Sequence, residues 1–253
     1  MSQTLQILLY DGSFEGLLCC VFRIYEQKIR IFKIQQITEP LNDMFAEKIE
    51  IVTEKTKAER VWAGIMRKAS QNSIQRIIYS FLAEIRGEEH NIVRYIQYLI
   101  DSKKNIEDNL SHPVVQRMED VVKMVGREKH RMKAFVRFEL LKDGIYYASI
   151  EPDFNVLPLI KDHFKHRYAD QEWIIYDVKR NYGLYYNLKD VEQMSLDISP
   201  KATSENIFQE EEVLYQELWK GYFKSTNIES RKNMALHVRH VPKRYWGRLT
   251  EKM

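Results

Sequence analysis

The hydrophobic period of this chain changes between residues 125 and 138, in the run Val125-Gly126-Arg127-Glu128-Lys129-His130-Arg131-Met132-Lys133-Ala134-Phe135-Val136-Arg137-Phe138. Upstream, Val114, Val115, Met118, Val121, Val122 and Val125 recur at helical spacing. From Met132 the period becomes two: Ala134, Val136, Phe138 and Leu140 share one face, and Lys133, Phe135, Arg137 and Glu139 the other. The pattern predicts a helix over 113–126 and a strand over 132–141, so the chain must combine helices with a sheet. The same junction is crowded with Arg127, Lys129, His130, Arg131 and Lys133. Cations grouped at a helix exit suit an anion, phosphate above all. The competing account is a solvated helix end that complements the helix dipole.

At 253 residues the chain has room for one large domain or two small ones sharing a core. With 44% hydrophobic and 30% charged residues, and only 9 Gly and 6 Pro, it reads as a packed globular protein. The net charge of +3 is mild, so a nucleic-acid role depends on where the charge sits and not on its total. Cys19 and Cys20 are adjacent on an apolar helix, which disfavours a disulfide or a paired metal ligand, and no CxxC spacing occurs. Neither a metal site nor a cofactor motif is therefore expected. No basic-then-apolar leader and no window of transmembrane length is present, which predicts a cytoplasmic protein with no membrane partner.

Short strands are expected at 5–10, 29–37 and 48–53, with a helix after Asp11-Gly12-Ser13 carrying Leu17, Leu18, Val21 and Phe22. Helices follow: one opened by a Thr56/Glu59 capping box, one beginning after Ser73, one over 89–102, and one with Pro113 in its first turn. Strands 132–141 and 145–151 are joined by Asp143-Gly144, a strong hairpin signal. Helix 157–168 and strands 172–178 and 182–188 complete a ββαββ unit. A polar loop at 190–203, an acidic helix from about 205 to 223 and a basic tail end the chain. The expected class is α+β within a single domain spanning 1–253. A mostly helical half (1–126) opens with a βα unit and packs on a central antiparallel ββαββ sheet with a crossing helix (127–188). The C-terminal helix and basic tail (205–253) follow.

Several groups could carry chemistry. Asp11 and Ser13 sit at a strand-to-helix turn, where they either bind an anion or cap the helix. His163 shares a helical stripe with Ile160, Phe164 and Arg167 and follows Glu151-Pro152-Asp153; it is either a general base near carboxylates or a core histidine. The hairpin around Trp173, Tyr182, Tyr185 and Tyr186 could stack bases or fill a core. Residues 231–248 hold Arg231, Lys232, Arg239, Lys243, Arg244 and Arg248 with His237 and His240 and no acid, interleaved with Tyr245 and Trp246. Such a tail suits phosphate neutralisation with base stacking, or intramolecular pairing with the acidic helix before it.

Taken in order, LYDGSFEGLL (9–18), VGREKHRMKAFVRF (125–138), Glu151-Pro152, HFKHRYADQEWIIYD (163–177) and RKNMALHVRHVPKRYW (231–246) resemble a bacterial family of DNA metabolism or repair proteins. The domain of that family also occurs fused to uracil-DNA glycosylase-like domains, and its stand-alone members are encoded beside a radical-SAM protein. The resemblance covers nearly the whole chain. It implies DNA and a radical-SAM protein as partners, the latter carrying the cluster for which this chain has no cysteine spacing. The matching positions are Asp11 and Gly12, then Arg127, His130, Arg131, Lys133 and Arg137. Glu151, Pro152, Arg167, Trp173 and Asp177 follow, then Arg231, Asn233, Pro242, Arg244 and Trp246. The hairpin DVKRNYGLYY departs from the family pattern, with Tyr185 in place of a tryptophan.

Three functions are open at this point. In the first, the chain binds damaged or single-stranded DNA. Arg127, His130, Arg131, Lys133, Arg137, Arg239, Lys243 and Arg244 would hold phosphates, and Tyr245 or Trp246 would stack a base. In the second, it is an enzyme acting on a nucleobase or nucleotide, with Asp11, Glu151, Asp177 or His163 as the acid/base group. In the third, it is a protein-interaction scaffold whose basic clusters pair with carboxylates.

Overall fold

A computed structural model describes residues 5–30, 32–40, 46–102, 105–195, 216–219 and 238–252. The chain divides into two units, 1–126 and 127–253. The observed class is α+β, as expected.

In the first unit, strand β1 (Gln6–Tyr10) is the centre of a parallel sheet of order β2-β1-β3, with β2 (Phe32–Gln36) and β3 (Glu47–Glu50) at its edges. Leu8 pairs with Ile34 on one side and Ile49 on the other, and Ile7 and Leu8 are fully buried. The chain leaves β1 through Asp11-Gly12 into α1 (Phe14–Gln27), whose Leu17, Leu18, Val21 and Ile24 enter the core. Ser13 caps this helix by accepting from the Gly16 N–H at 2.9 Å, and Lys28 ends it in the left-handed region at φ 53°. Helices α2 (Lys55–Met66), α3 (Gln71–Leu82) and α4 (Glu88–Asp101) follow. The Thr56/Glu59 capping box does not form: α2 starts one residue earlier and Thr56 lies in its first turn. The Glu54 backbone is fixed by tertiary contact, its N–H donating to Cys19 Sγ at 3.3 Å. Likewise Ser70, not Ser73, caps α3, and Ser73 is buried in the first turn against the Tyr95 hydroxyl at 2.9 Å.

Helix α5 (Pro113–Phe135) corrects the sharpest sequence expectation. The helix does not stop at Gly126, and residues 132–135 are helical where a strand was expected. Gly126 does not take the positive φ of a helix-ending glycine. The alternation from Met132 is coincidental with a longer helical stripe, in which Val121, Val125, Glu128 and Met132 are all buried. The stripe was disguised because its member at position 128 is a carboxylate.

In the second unit, β4 (Glu139–Leu140) and β5 (Tyr146–Ile150) form the expected hairpin. Gly144 has φ 87° and the Asp143 carboxylate accepts from the Ile145 N–H at 3.2 Å. Helix α6 (Leu157–Arg167) then carries the chain to β6 (Trp173–Asp177), followed by β7 (Tyr182–Tyr186) and β8 (Val191–Met194). The sheet order is β4-β5-β6-β7-β8. It is mixed, not wholly antiparallel: α6 returns the chain to the same end of the sheet, so β5 and β6 run parallel with Ala148 opposite Ile175. Strand β8 forms where a polar loop was expected, with Tyr185 opposite Glu192. Of the expected helix at 205–223 only residues 216–219, which are helical, are described. In the basic tail 231–237 lie outside the described residues, while Lys243–Arg248 and Thr250–Lys252 form 3₁₀ turns.

Candidate nucleic-acid cleft

Extending α5 to Phe135 changes which basic residues share a face. His130 and Lys133 are one helical turn apart, and Arg137 follows just beyond the helix end. On α6, His163 and Arg167 are spaced four residues apart, also one turn. These side chains line one cleft of about 960 Å³ in the second unit. Its apolar wall comes from Phe138, Phe164 and Tyr168, with Trp219 and Tyr146 also at its lining. Phe138 is fixed edge-on to Tyr168 at 5.2 Å and to Phe164 at 5.8 Å between ring centroids. Behind Phe164 stands the buried Trp173, stacked on Tyr186 at 5.5 Å. No carboxylate is among the described residues lining the cleft.

The cations of the cleft differ in how they are compensated. Arg137 donates to both carboxylate oxygens of Glu251, at 2.8 and 3.3 Å, and to the Ala134 carbonyl at 2.7 Å, and its guanidinium lies 5.9 Å from the Trp219 ring centre. The Trp219 indole N–H also donates to Glu251, at 3.0 Å. Burial works against ionising Glu251, but the Arg137 hydrogen bond and its further partners outweigh it and hold the carboxyl below the ordinary 4.5. Lys133 and Arg167 form no ion pair among the described residues; the Arg167 guanidinium lies 5.7 Å from the Tyr168 ring centre. Partial burial, and after it the charges of Lys133 and Arg167, hold the His163 pKa below the ordinary 6.5. His163 is therefore a neutral imidazole beside two permanent cations at neutral pH.

The other predicted residues are placed elsewhere. Glu128 is 1% exposed and organises a network: Oε1 accepts from the Asp153 backbone N–H at 2.9 Å, and Oε2 from the Tyr245 hydroxyl and from Arg244 at 3.0 Å. Arg244 also pairs with Asp153 at 2.8 Å, and Arg131 stands 3.8 Å from Glu128. The Tyr245 hydroxyl is pushed to a higher pKa by burial and by Glu128. Tyr245 is thus an anchor of the tail on α5, and its buried ring presents no face to a base. Trp246 is half-buried, with its N–H on the Val241 carbonyl at 3.0 Å and the Lys243 and Lys252 ammonium groups 5.9 and 5.3 Å from its ring centre. Arg127 and Arg239 are exposed and do not line the cleft.

None of the candidate acid/base carboxylates is among the described residues lining the cleft. Asp11, in the first unit, accepts from the Ser13 N–H at 2.9 Å, the Ser13 hydroxyl at 2.6 Å and the Thr53 hydroxyl at 2.8 Å. Partial burial opposes this charge, but those hydrogen bonds win and lower the Asp11 pKa. Glu151 faces Arg248 at 3.4 Å. Asp177 is fully buried and closes the β6–β7 turn by accepting from the Lys179 and Arg180 N–H groups at 3.0 and 3.2 Å and from the Arg180 guanidinium at 2.8 Å. Burial, partly offset by Arg180, leaves its pKa above the ordinary 3.8. No cluster of three or more His, Cys, Asp or Glu among the described residues is placed to hold a metal, and no helix among them is long and apolar enough to cross a membrane.

Sequence reasoning passed over Arg167, Phe138 and Tyr168 as site residues and Glu128 as an organiser. The spacing of His163 and Arg167 was a usable signal for the first; for Glu128 the only signal was a lone acid among bases.

A family model described as a domain of unknown function, DUF4130, matches residues 86–251, and the chain belongs to that family. No curated protein matches it. Among solved structures, a pGpG-specific phosphodiesterase from Vibrio cholerae is 11% identical with a TM-score of 0.36, covering 72% of this chain and 81% of that one. The DHH domain of a member of the s1p family of ribosomal proteins is 10% identical with a TM-score of 0.30, covering 73% of this chain and 74% of that one. At these scores neither likeness bears on fold or function.

Proposed function

We propose that this DUF4130 protein is a DNA metabolism or repair factor that binds damaged or single-stranded DNA in the cleft between α5 and α6. The observation that carries the reading is the convergence of Lys133, Arg167, His130 and His163 on one aromatic-walled cleft without a carboxylate among its described lining residues. Cations there neutralise phosphate, and Phe138, Tyr168 and Trp219 offer ring surface to a base. A radical-SAM protein as working partner rests on the resemblance of the ordered motifs alone. Exposed Arg127, Arg239 and Lys243 would add phosphate contacts outside the cleft.

The test is fluorescence anisotropy of a labelled single strand across a salt series. Charge reversal at Lys133 and Arg167 together should cut affinity at least about tenfold and flatten the salt slope by about 1.4, the value for two lost contacts on a single strand. Reversal of the exposed hairpin Lys142 serves as control and should change neither. Binding that survives the double reversal overturns the assignment of the cleft.

A further inference from the structure

Resting on that reading, we infer that the cleft receives a terminal phosphomonoester, on the end of a DNA strand or on a free nucleotide, in preference to the internal phosphodiesters of a continuous backbone.

The placement of charge carries the inference. A backbone track needs cations laid out along a surface, one after another. Here His130 and Lys133 span about 4.5 Å of helix axis and His163 and Arg167 about 6 Å, from the rise of 1.5 Å per residue. Three neighbouring arginines that could extend the charge are already engaged. Arg137 is held by Glu251, Arg131 stands by Glu128, and Arg244 is shared by Glu128 and Asp153. Among the described residues, the charge in the cleft that has no ion pair is thus local, supplied by Lys133 from one helix and Arg167 from the other. Both line the cleft that His163 also lines, so the charge gathers in one place and not along a track.

The chemistry of the two phosphate types then decides. An internal diester carries one charge, whereas a terminal monoester carries about −1.5 to −2 near neutral pH and offers a third acceptor oxygen. Against fixed cations the Coulomb gain scales with ligand charge. Arg167 can present a planar fork to two oxygens while Lys133 supplies a point charge to the third. A volume of about 960 Å³ is within the range of small-ligand clefts and exceeds what an isolated phosphate needs. Phe138 and Tyr168 stand ready to cover the sugar and base behind it.

The experiment uses the full chain and three forms of one short single-stranded oligonucleotide, carrying a 5′-phosphate, a 3′-phosphate or hydroxyls at both ends. Deoxyadenosine monophosphate and deoxyadenosine are the competitors. The expected result is at least about tenfold tighter binding of one phosphorylated form than of the hydroxyl form. Arg167→Gln should abolish that preference, and Arg167→Lys, which keeps charge without the fork, should retain part of it. Monophosphate binding as tightly as the phosphorylated strand assigns the site to a free nucleotide; a strand tighter by about tenfold assigns it to a strand end. Equal binding of all three strands, weakened equally by Arg167→Gln, overturns the terminal-phosphate inference and leaves DNA binding intact. No binding of any strand or nucleotide overturns both.

Discussion

The Glu128 network makes a quantitative claim about how the tail is held to α5. Its carboxylate is 1% exposed and accepts from the buried Tyr245 hydroxyl, the Asp153 N–H and Arg244. Glu128→Ala removes the acceptor and strands its donors. The loss of the Tyr245 bond to a charged group costs about 1.5–3 kcal/mol, and an unsatisfied backbone N–H about 1–3 kcal/mol. The Arg244 arm adds little, about 0–1 kcal/mol, because that side chain is 43% exposed and water screens and replaces the contact. The sum is about 4 kcal/mol after some relaxation around the site. Tyr245→Phe removes the hydroxyl that donates to Glu128 and accepts from Arg244 at 2.6 Å and should cost about 2 kcal/mol, and Arg244→Ala under about 1 kcal/mol. Urea unfolding followed by tryptophan fluorescence reports the second unit through Trp173, Trp219 and Trp246. The double variant of Glu128→Ala with Tyr245→Phe should show coupling of about 1.5–2 kcal/mol, since the bond between the two side chains can be lost only once. A cost below about 1 kcal/mol for Glu128→Ala, or additive single variants, would refute the claim that this carboxylate anchors the tail.

Other outcomes follow from the same geometry. Glu251 has a folded pKa below the ordinary 4.5, so its pairing with Arg137 stabilises the fold above that pH and the contribution is lost as the pH falls through the folded value; urea midpoints at pH 6 and pH 4 should differ by less in Glu251→Gln than in the parent. A Cβ at Gly183 would lie 2.9 Å from Tyr176 Cδ2 and 3.0 Å from the Ile175 carbonyl oxygen, so Gly183→Ala should lower stability by about 1–3 kcal/mol, read as a drop in thermal midpoint. A Cβ at Gly16 would meet Asp11 Oδ1 at 2.3 Å, so Gly16→Ala should displace the Asp11 carboxylate and raise its pKa toward the ordinary value, seen in carbonyl NMR titration.

The parts of the fold that were legible are those set by local chemistry. The Asp143-Gly144 hairpin, the Ser13 region after β1 and the apolar faces of α1 and α4 follow from turn residues, capping and period. What misled was a position where tertiary structure overrode the pattern. Glu128 occupies an apolar place in the α5 stripe, and nothing local shows that Tyr245, more than a hundred residues on, will satisfy it. With that helix cut short, Lys133 and Phe135 fell on one face of an imagined strand. In the real helix His130 and Lys133 line the cleft while Met132 is buried. The tail had the opposite problem. Its sequence left open whether the charge is free or paired with the acidic helix before it, whereas Arg244 and Arg248 are paired with carboxylates from other parts of the unit.

That division between engaged and open groups also bears on the chemistry open to the cleft. Asp11, Glu151 and Asp177 each have hydrogen-bond or ionic partners where they stand, and none lines the cleft. Among the described residues lining it, the imidazoles are His130 and His163. His163 shares the cleft with Lys133 from α5 and Arg167 on its own helix, and partial burial followed by those two charges holds its pKa below the ordinary 6.5. An entering phosphate reverses that balance, because the anion offsets the two cations and favours the imidazolium. If the proposed phosphate binds there, the His163 pKa should rise, which imidazole NMR titration with and without deoxyadenosine monophosphate would read. The carboxylates that an acid–base mechanism would call on are committed to capping a helix, closing a turn and pairing with Arg248.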